Sequence, residues 1–133
     1  MKAPLPKVTG RSTRQRKLDR DKEAAVFRDA VWIRDGGRNR VTGLPLERGT
    51  AYRSNLRGEV CHLKGRRVMP EWKTDPKRAI LMSGYHHALS DHRGGCLLKL
   101  TDPITEEPAI NGDKPIRFTL YHRDGSVKWT TVG

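Results

Sequence analysis

The spacing of apolar residues divides the chain into one long helical stretch, several short strands and a terminal hairpin. From about Ser12 to Arg34, Ala24, Phe27 and Val31 recur on one helical face, Val26, Ala30 and Ile33 widen it, and charges fill the opposite side. Asp35-Gly36-Gly37 ends that helix, since glycine enters the left-handed cap conformation without penalty. Residues 34–43, with Leu44-Pro45-Leu46 after them, predict a tight turn between helix and strand, and residues 47–58 are polar and weakly patterned, hence loop. Glu59 to Leu63 predicts a short strand, Lys64 to Arg78 a basic loop, and Ala79 to Met82 a second strand. Ser83 is an N-cap for a helix from about Gly84 to His92, which Gly94-Gly95 stops. Cys96 to Leu100 predicts another strand, and residues 101–115, with three prolines and Asn111-Gly112, a loop. Ile116, Phe118 and Leu120 alternate before a two-residue turn at Asp124-Gly125, and Val127 and Trp129 after it, a structural hairpin that sets Leu120 across from Trp129.

These elements imply an α+β fold in a single domain over residues 12–133, behind a flexible basic arm at residues 1–11. The chain's 133 residues leave room for a modest core, and an apolar share of 35% against 32% charged residues predicts a loop-rich one. A formal net charge of +12 favours a polyanion, of which nucleic acid is the commonest. A ribosome-like or membrane-surface basic protein is the other class this charge admits. Residues 1–20 hold seven Lys or Arg against one acid, Asp19, and Arg11, Arg14, Arg16 and Lys17 are candidate phosphate contacts. No apolar run approaches ~18 residues, so no membrane-spanning helix is expected. The basic N-terminus has no apolar stretch behind it, so no secretory signal is expected either. Two cysteines, Cys61 and Cys96, make no disulfide framework, and a reducing, cytoplasmic location follows as the simplest expectation.

The chemistry concentrates in residues 59–94, which hold four of the five histidines, His62, His86, His87 and His92. Cleaving a phosphodiester needs an activated water and neutralisation of phosphate charge. A neutral histidine can take the proton, and a divalent ion in a cage of two or three protein ligands leaves positions open for phosphate and water. On a regular helix Asp91, four residues after His87, shares its face, whereas His86 and His87 lie about 100° apart, so only one of that pair can face a site. His92, five after His87, joins that face only if the helix ends or frays.

At these residues the chain resembles the HNH endonucleases, whose catalytic unit is a ββα-metal finger. The family's first strand ends in a metal ligand followed by the general-base histidine, and that pair is similar to Cys61-His62. Its loop then carries an acidic residue and, three later, an Asn before an apolar strand, which compares with Asp75-Pro76-Lys77-Arg78 before Ala79-Ile80-Leu81. A ligand follows nine residues after that Asn, and His87 is nine after Arg78. Some members add a histidine in the context of His92-Arg93-Gly94. Many members also carry a turn like Arg34-Asp35-Gly36-Gly37-Arg38 with cysteines that bind structural zinc. Asn39, Thr42, Ser83 and His86 stand at the four cysteine positions, so no structural four-cysteine zinc is expected. The resemblance covers about residues 27–95.

The resemblance implies a metal-dependent endonuclease acting on DNA, with a core finger at about residues 59–94. His62 is the general base, Arg78 stands in the catalytic Asn position, and Cys61, His87, His92 and Asp91 are the metal-ligand candidates. Lys64, Arg66, Arg67, Lys73, Lys77 and Arg93 are phosphate-holding candidates, and Trp72 is expected to pack. The ion is Mg²⁺, Mn²⁺, Ni²⁺ or Zn²⁺, a thiolate at Cys61 favouring the softer ones. No membrane and no small-molecule cofactor is implied, and small stand-alone members often come from phages and mobile elements. Two alternatives stay open: a non-catalytic nucleic-acid-binding protein on the same frame, and a basic structural protein with Cys61, His62, His87 and His92 around one closed zinc.

Overall fold

A computed structural model describes residues 12–49, 55–63, 70–91 and 94–133. The basic arm at 1–11, together with Lys64, Arg66, Arg67, His92 and Arg93, lies outside the described residues. The fold is α+β. Helix α1 (Thr13–Arg34) leads to an antiparallel pair, β1 (Gly58–His62) and β2 (Ala79–Ser83), and then to α2 (Gly84–Ser90). Three further strands, β3 (Leu98–Thr101), β4 (Arg117–Tyr121) and β5 (Val127–Val132), form an antiparallel sheet in chain order.

Capping chemistry sets both ends of α1. Ser12 accepts from the Gln15 N–H, and the chain leaves the helix through Gly36 and Gly37, both at φ +66°. The stripe that α1 buries is narrower than its apolar pattern suggests. Phe27 and Val31 are buried, while Val26 and Ile33 are 70% and 76% exposed. Phe27 and Val31 pack with Leu46, Ala79 and Leu81 in one cluster. A second cluster joins Cys61, Ile80 and Met82 to Leu98, Ile116, Phe118 and Leu120. Strand β2 is buried throughout, because its alternate residues serve the two clusters on opposite faces.

The C-terminal hairpin keeps the expected pairing of Leu120 with Trp129, although its loop differs. His122 N–H bonds the Ser126 carbonyl, Gly125 N–H bonds the His122 carbonyl, and Gly125 sits at φ +90°. That makes a three-residue loop, Arg123-Asp124-Gly125, in place of the two-residue turn. The irregularity between Leu120 and Tyr121 restores the register. Strand β3 begins at Leu98, later than Cys96, since Gly95 and Cys96 both take positive φ.

A buried ionic knot joins these parts. The Asp35 carboxylate, 3% exposed, accepts from Arg34 Nε and Nη2 at 2.9 Å, from Arg40 Nη1 at 3.1 Å and from the Leu81 N–H at 2.8 Å. Arg34 also donates to the carbonyls of Pro76 and Ala79. Arg40 donates to those of Gly112, Lys114 and Gly133. Removing one partner of a buried charge cluster leaves the other charges uncompensated. Asp35→Asn, nearly isosteric, is therefore expected to lower the unfolding free energy by about 3 kcal/mol, read from the midpoint of denaturant unfolding. A loss below about 0.5 kcal/mol would place the knot on a par with surface ion pairs.

Candidate functional site: a basic cleft with two imidazoles

Strand β1 pairs with β2, its first residue Gly58 also donates to the Glu47 carbonyl, and residues of the strand line a cleft of about 750 Å³ together with α1 and His87 of α2. Glu59, His62 and His87 all line it. Phe27 and Trp32 of α1 form its apolar wall, and Arg20, Arg28, Arg48, Arg57 and Lys73 bring positive charge against Glu23, Asp29 and Glu59, with Arg48 paired to Asp29 at 2.7 Å.

His62 is the last residue of β1, placed opposite Ala79 by the strand register. Its ring stacks on Phe27, with centroids 5.3 Å apart and planes at 24°. Its Nε2 lies 3.0 Å from the Lys73 carbonyl. A carbonyl oxygen only accepts, so Nε2 carries the hydrogen and, in the neutral ring, Nδ1 carries the lone pair. A helix, a strand end and the loop after it thus converge on one imidazole whose accepting nitrogen is defined.

His87 reaches the cleft from α2. That helix starts where Ser83 accepts from the His86 N–H, and it ends earlier than the sequence suggests, at Ser90. His87 Nδ1 lies 2.9 Å from Glu59 Oε1. Asp91 is the residue at which α2 stops, with an extended backbone (φ −80°, ψ 152°), so the face-sharing expected of a continuing helix does not carry over to it.

Cys61 is placed in the core and not in the cleft. Adjacent residues of a strand point to opposite faces, and Cys61 is 6% exposed on the face away from His62. Burial pushes its thiol up to about 11, and the charges of Asp91 and Glu59 add to this against the lowering effect of the Ser90 hydroxyl. A thiol so held keeps its proton at neutral pH in the metal-free protein. Among the described residues, no three His, Cys, Asp or Glu side chains gather as a metal group.

Arg78 is committed to holding the loop. Its guanidinium lies 4.2 Å over the Trp72 ring and donates to the Ile110 carbonyl at 2.7 Å, with Asp75 at 4.0 Å from a buried Nε. Trp72 packs in that stack, as expected. Lys73 is exposed at the cleft, while Lys77 is exposed on the loop, where its carbonyl accepts from Gly112. Glu59 was missed from the sequence, although an acid inside an apolar strand signals a partnered buried charge. The cationic wall of Arg20, Arg28, Arg48 and Arg57 comes from distant segments and carries no local signal.

The two neighbouring histidines divide as helical geometry requires. His87 lines the cleft, and His86 turns inward to buried Asn39 and Ser83. Asn39 Oδ1 accepts from the Val41 N–H, so its amide nitrogen faces His86 Nδ1, at 3.0 Å, as donor. The Ser83 hydroxyl is 2.8 Å from the same nitrogen. Nδ1 is therefore bare, and Thr42 stands apart with its hydroxyl accepting from the Leu44 N–H.

Comparison with family models, with curated proteins and with solved structures finds no match. Among the described residues no helix is long and apolar enough to cross a membrane.

Burial holds the His86 imidazole below its ordinary 6.5. The unfolded chain then binds more protons than the folded one as pH falls through that value, so stability is full above it and declines below it. Thermal melts are expected to show a Tm that drops between about pH 7 and pH 5, with a shallower drop in His86→Gln. Superimposable pH profiles would show that His86 carries no such linkage.

Proposed function

We propose that this protein is a metal-dependent endonuclease of the HNH type, cleaving phosphodiester bonds in DNA with a ββα-metal finger built from β1, β2 and α2. The observation that carries the reading is the pair of imidazoles on one cleft, His62 held through Nε2 by the Lys73 carbonyl and His87 held through Nδ1 by Glu59. Further support comes from the inward network. Asn39, Ser83 and His86 stand where related endonucleases would carry zinc cysteines, and three of those four positions meet in direct hydrogen bonds. A polar network there does the joining that a structural zinc would do.

His62 acts as general base. Its Nδ1 accepts a proton from water, while the Lys73 carbonyl holds Nε2–H and Phe27 fixes the ring plane. The positive charge that develops on the imidazole stays hydrogen-bonded to that carbonyl. Lys73 and Arg57, with the α1 cations Arg20 and Arg28, hold backbone phosphate along the cleft and confer affinity without sequence reading. Lys64, Arg66, Arg67, Lys77 and Arg93 extend the same role on the neighbouring loops. Arg78 is a positioning residue, keeping the loop that carries the Lys73 carbonyl in place through Trp72 and Ile110.

Among the described residues the cleft supplies one clear donor for an ion, His87 Nε2. Asp91 or His92 would have to complete the set, while Cys61 lies buried in the core on the strand face away from His62. A divalent ion held there would supply neutralisation of phosphate charge and stabilisation of the leaving oxygen. Without thiolate in the set, Mg²⁺ and Mn²⁺ stand beside Ni²⁺ and Zn²⁺ as candidates.

Plasmid nicking after chelation and re-addition of each of these ions tests the reading. Wild type is expected to nick with at least one ion, and His62→Ala to lose about 10²–10⁴-fold in rate. No cutting by wild type under any ion, with DNA still retarded in a gel, would make the chain a DNA-binding protein on a nuclease frame.

A further inference from the structure

A neutral imidazole can carry its hydrogen on either nitrogen, and the group bonded to one nitrogen decides what the other can do. In the cleft these choices are opposite. His62 gives its Nε2–H to a backbone carbonyl, and His87 has Nδ1 engaged by a carboxylate. The Glu59 side chain is 10% exposed and that of His87 26%, so the contact is largely shielded from water. A carboxylate accepts and does not donate, so the hydrogen sits on His87 Nδ1 and leaves Nε2 bare.

The strand register explains why Glu59 is in reach. Its Cα partner on β2 is Met82, directly before Ser83, which caps α2. Position 59 therefore faces the first turn of the helix, and His87 lies one turn into it. Cys61, two residues on along the same face, is already under the core and close to Ser90. Position 59 is thus where an acidic residue meets His87 while still lining the cleft.

We infer that Glu59 is a positioning residue for the cleft, locking His87 in the Nδ1–H tautomer so that Nε2 is the atom it offers to a divalent cation. The use of that nitrogen rests on the metal-dependent reading above, whereas the tautomer does not. Carboxylate partners of this kind orient ligating histidines, and losing one typically weakens metal affinity about 10–100-fold.

The test uses the full chain, metal-free and ¹⁵N-labelled, above the ordinary histidine titration range. Multiple-bond ¹H–¹⁵N correlation reads the tautomer of each ring, with His87→Gln assigning the His87 signals. Wild type is expected to show His87 as Nδ1–H. Glu59→Gln, which keeps an accepting oxygen, is expected to retain that form, and Glu59→Ala to lose it while the backbone spectrum stays that of a folded protein. His87 found as Nε2–H in wild type, or unchanged in Glu59→Ala, would overturn the assignment. Calorimetric titration with Ni²⁺ provides the second readout. Affinity is expected to fall about 10–100-fold in Glu59→Ala and less in Glu59→Gln. Equal affinity in all three would overturn the positioning role. If wild type binds no Ni²⁺ while the tautomer pattern holds, the metal reading of the cleft fails and the Glu59 lock stands.

Discussion

Asp35 carries the charge around which the chain is closed. Its carboxylate takes two guanidinium groups and the Leu81 N–H, and each guanidinium passes the connection on. Arg34 binds the carbonyls of Pro76 and Ala79, which flank the end of the loop between β1 and β2. Arg40 binds Gly112, Lys114 and Gly133, so the loop before β4 and the last residue of the chain share the same anchor. Ion pairs on the surface contribute little, but a shielded anion shared by two arginines and a backbone amide is costly to disturb. Through Leu81 and Ala79 this knot fixes β2, and β2 sets the register of β1 and hence the positions of Glu59 and His62.

Strand alternation then determines the site. Val60 and His62 face α1, where Phe27 stacks on the imidazole, while Cys61 goes to the second core cluster. Glu59 lies toward the beginning of the strand, where the core has given out, and so is available to His87 on α2. The two rings meet the same cleft held through unlike nitrogens, His62 through Nε2 and His87 through Nδ1. For a proposed base and a proposed ligand that division is chemically apt, since a base needs a lone pair beside water and a ligand needs one beside the ion. The positive charge lining the cleft comes from α1 and the loops and not from β1 or β2.

Much of the architecture was legible because it depends on local chemistry. Ser12, Ser83, Gly36 and Gly37 mark helix ends through caps that need no tertiary partner. The hairpin register survived a wrong loop length, since the irregularity after Leu120 absorbs the extra residue. What was not legible depends on distant neighbours. The exposure of Val26 and Ile33 reflects which side of α1 the strands take, a choice the helical pattern leaves open. His62 and His87 stood out in the sequence, and the structure places both on the cleft, while the partners that orient them, Phe27, Glu59 and the Lys73 carbonyl, were not legible. Strict alternation along β1 already separates Cys61 from His62, and the family resemblance, which pairs them, obscured it. Arg78 is held by a ring stack on Trp72 and a bond to the Ile110 carbonyl, the second of which comes from a segment 32 residues away.

The central claim is that His62 and His87 work on one phosphodiester from opposite sides of the cleft. The most direct measurement is a crystal structure of the protein with a short DNA duplex and Mn²⁺ or Ni²⁺, with diffraction recorded at the metal's absorption edge. The account predicts an anomalous peak within bonding distance of His87 Nε2 and of a phosphate oxygen, with His62 Nδ1 facing that phosphorus through a water and Cys61 Sγ remote from the ion. An ion bound by Cys61, or DNA seated on a face other than this cleft, would contradict it.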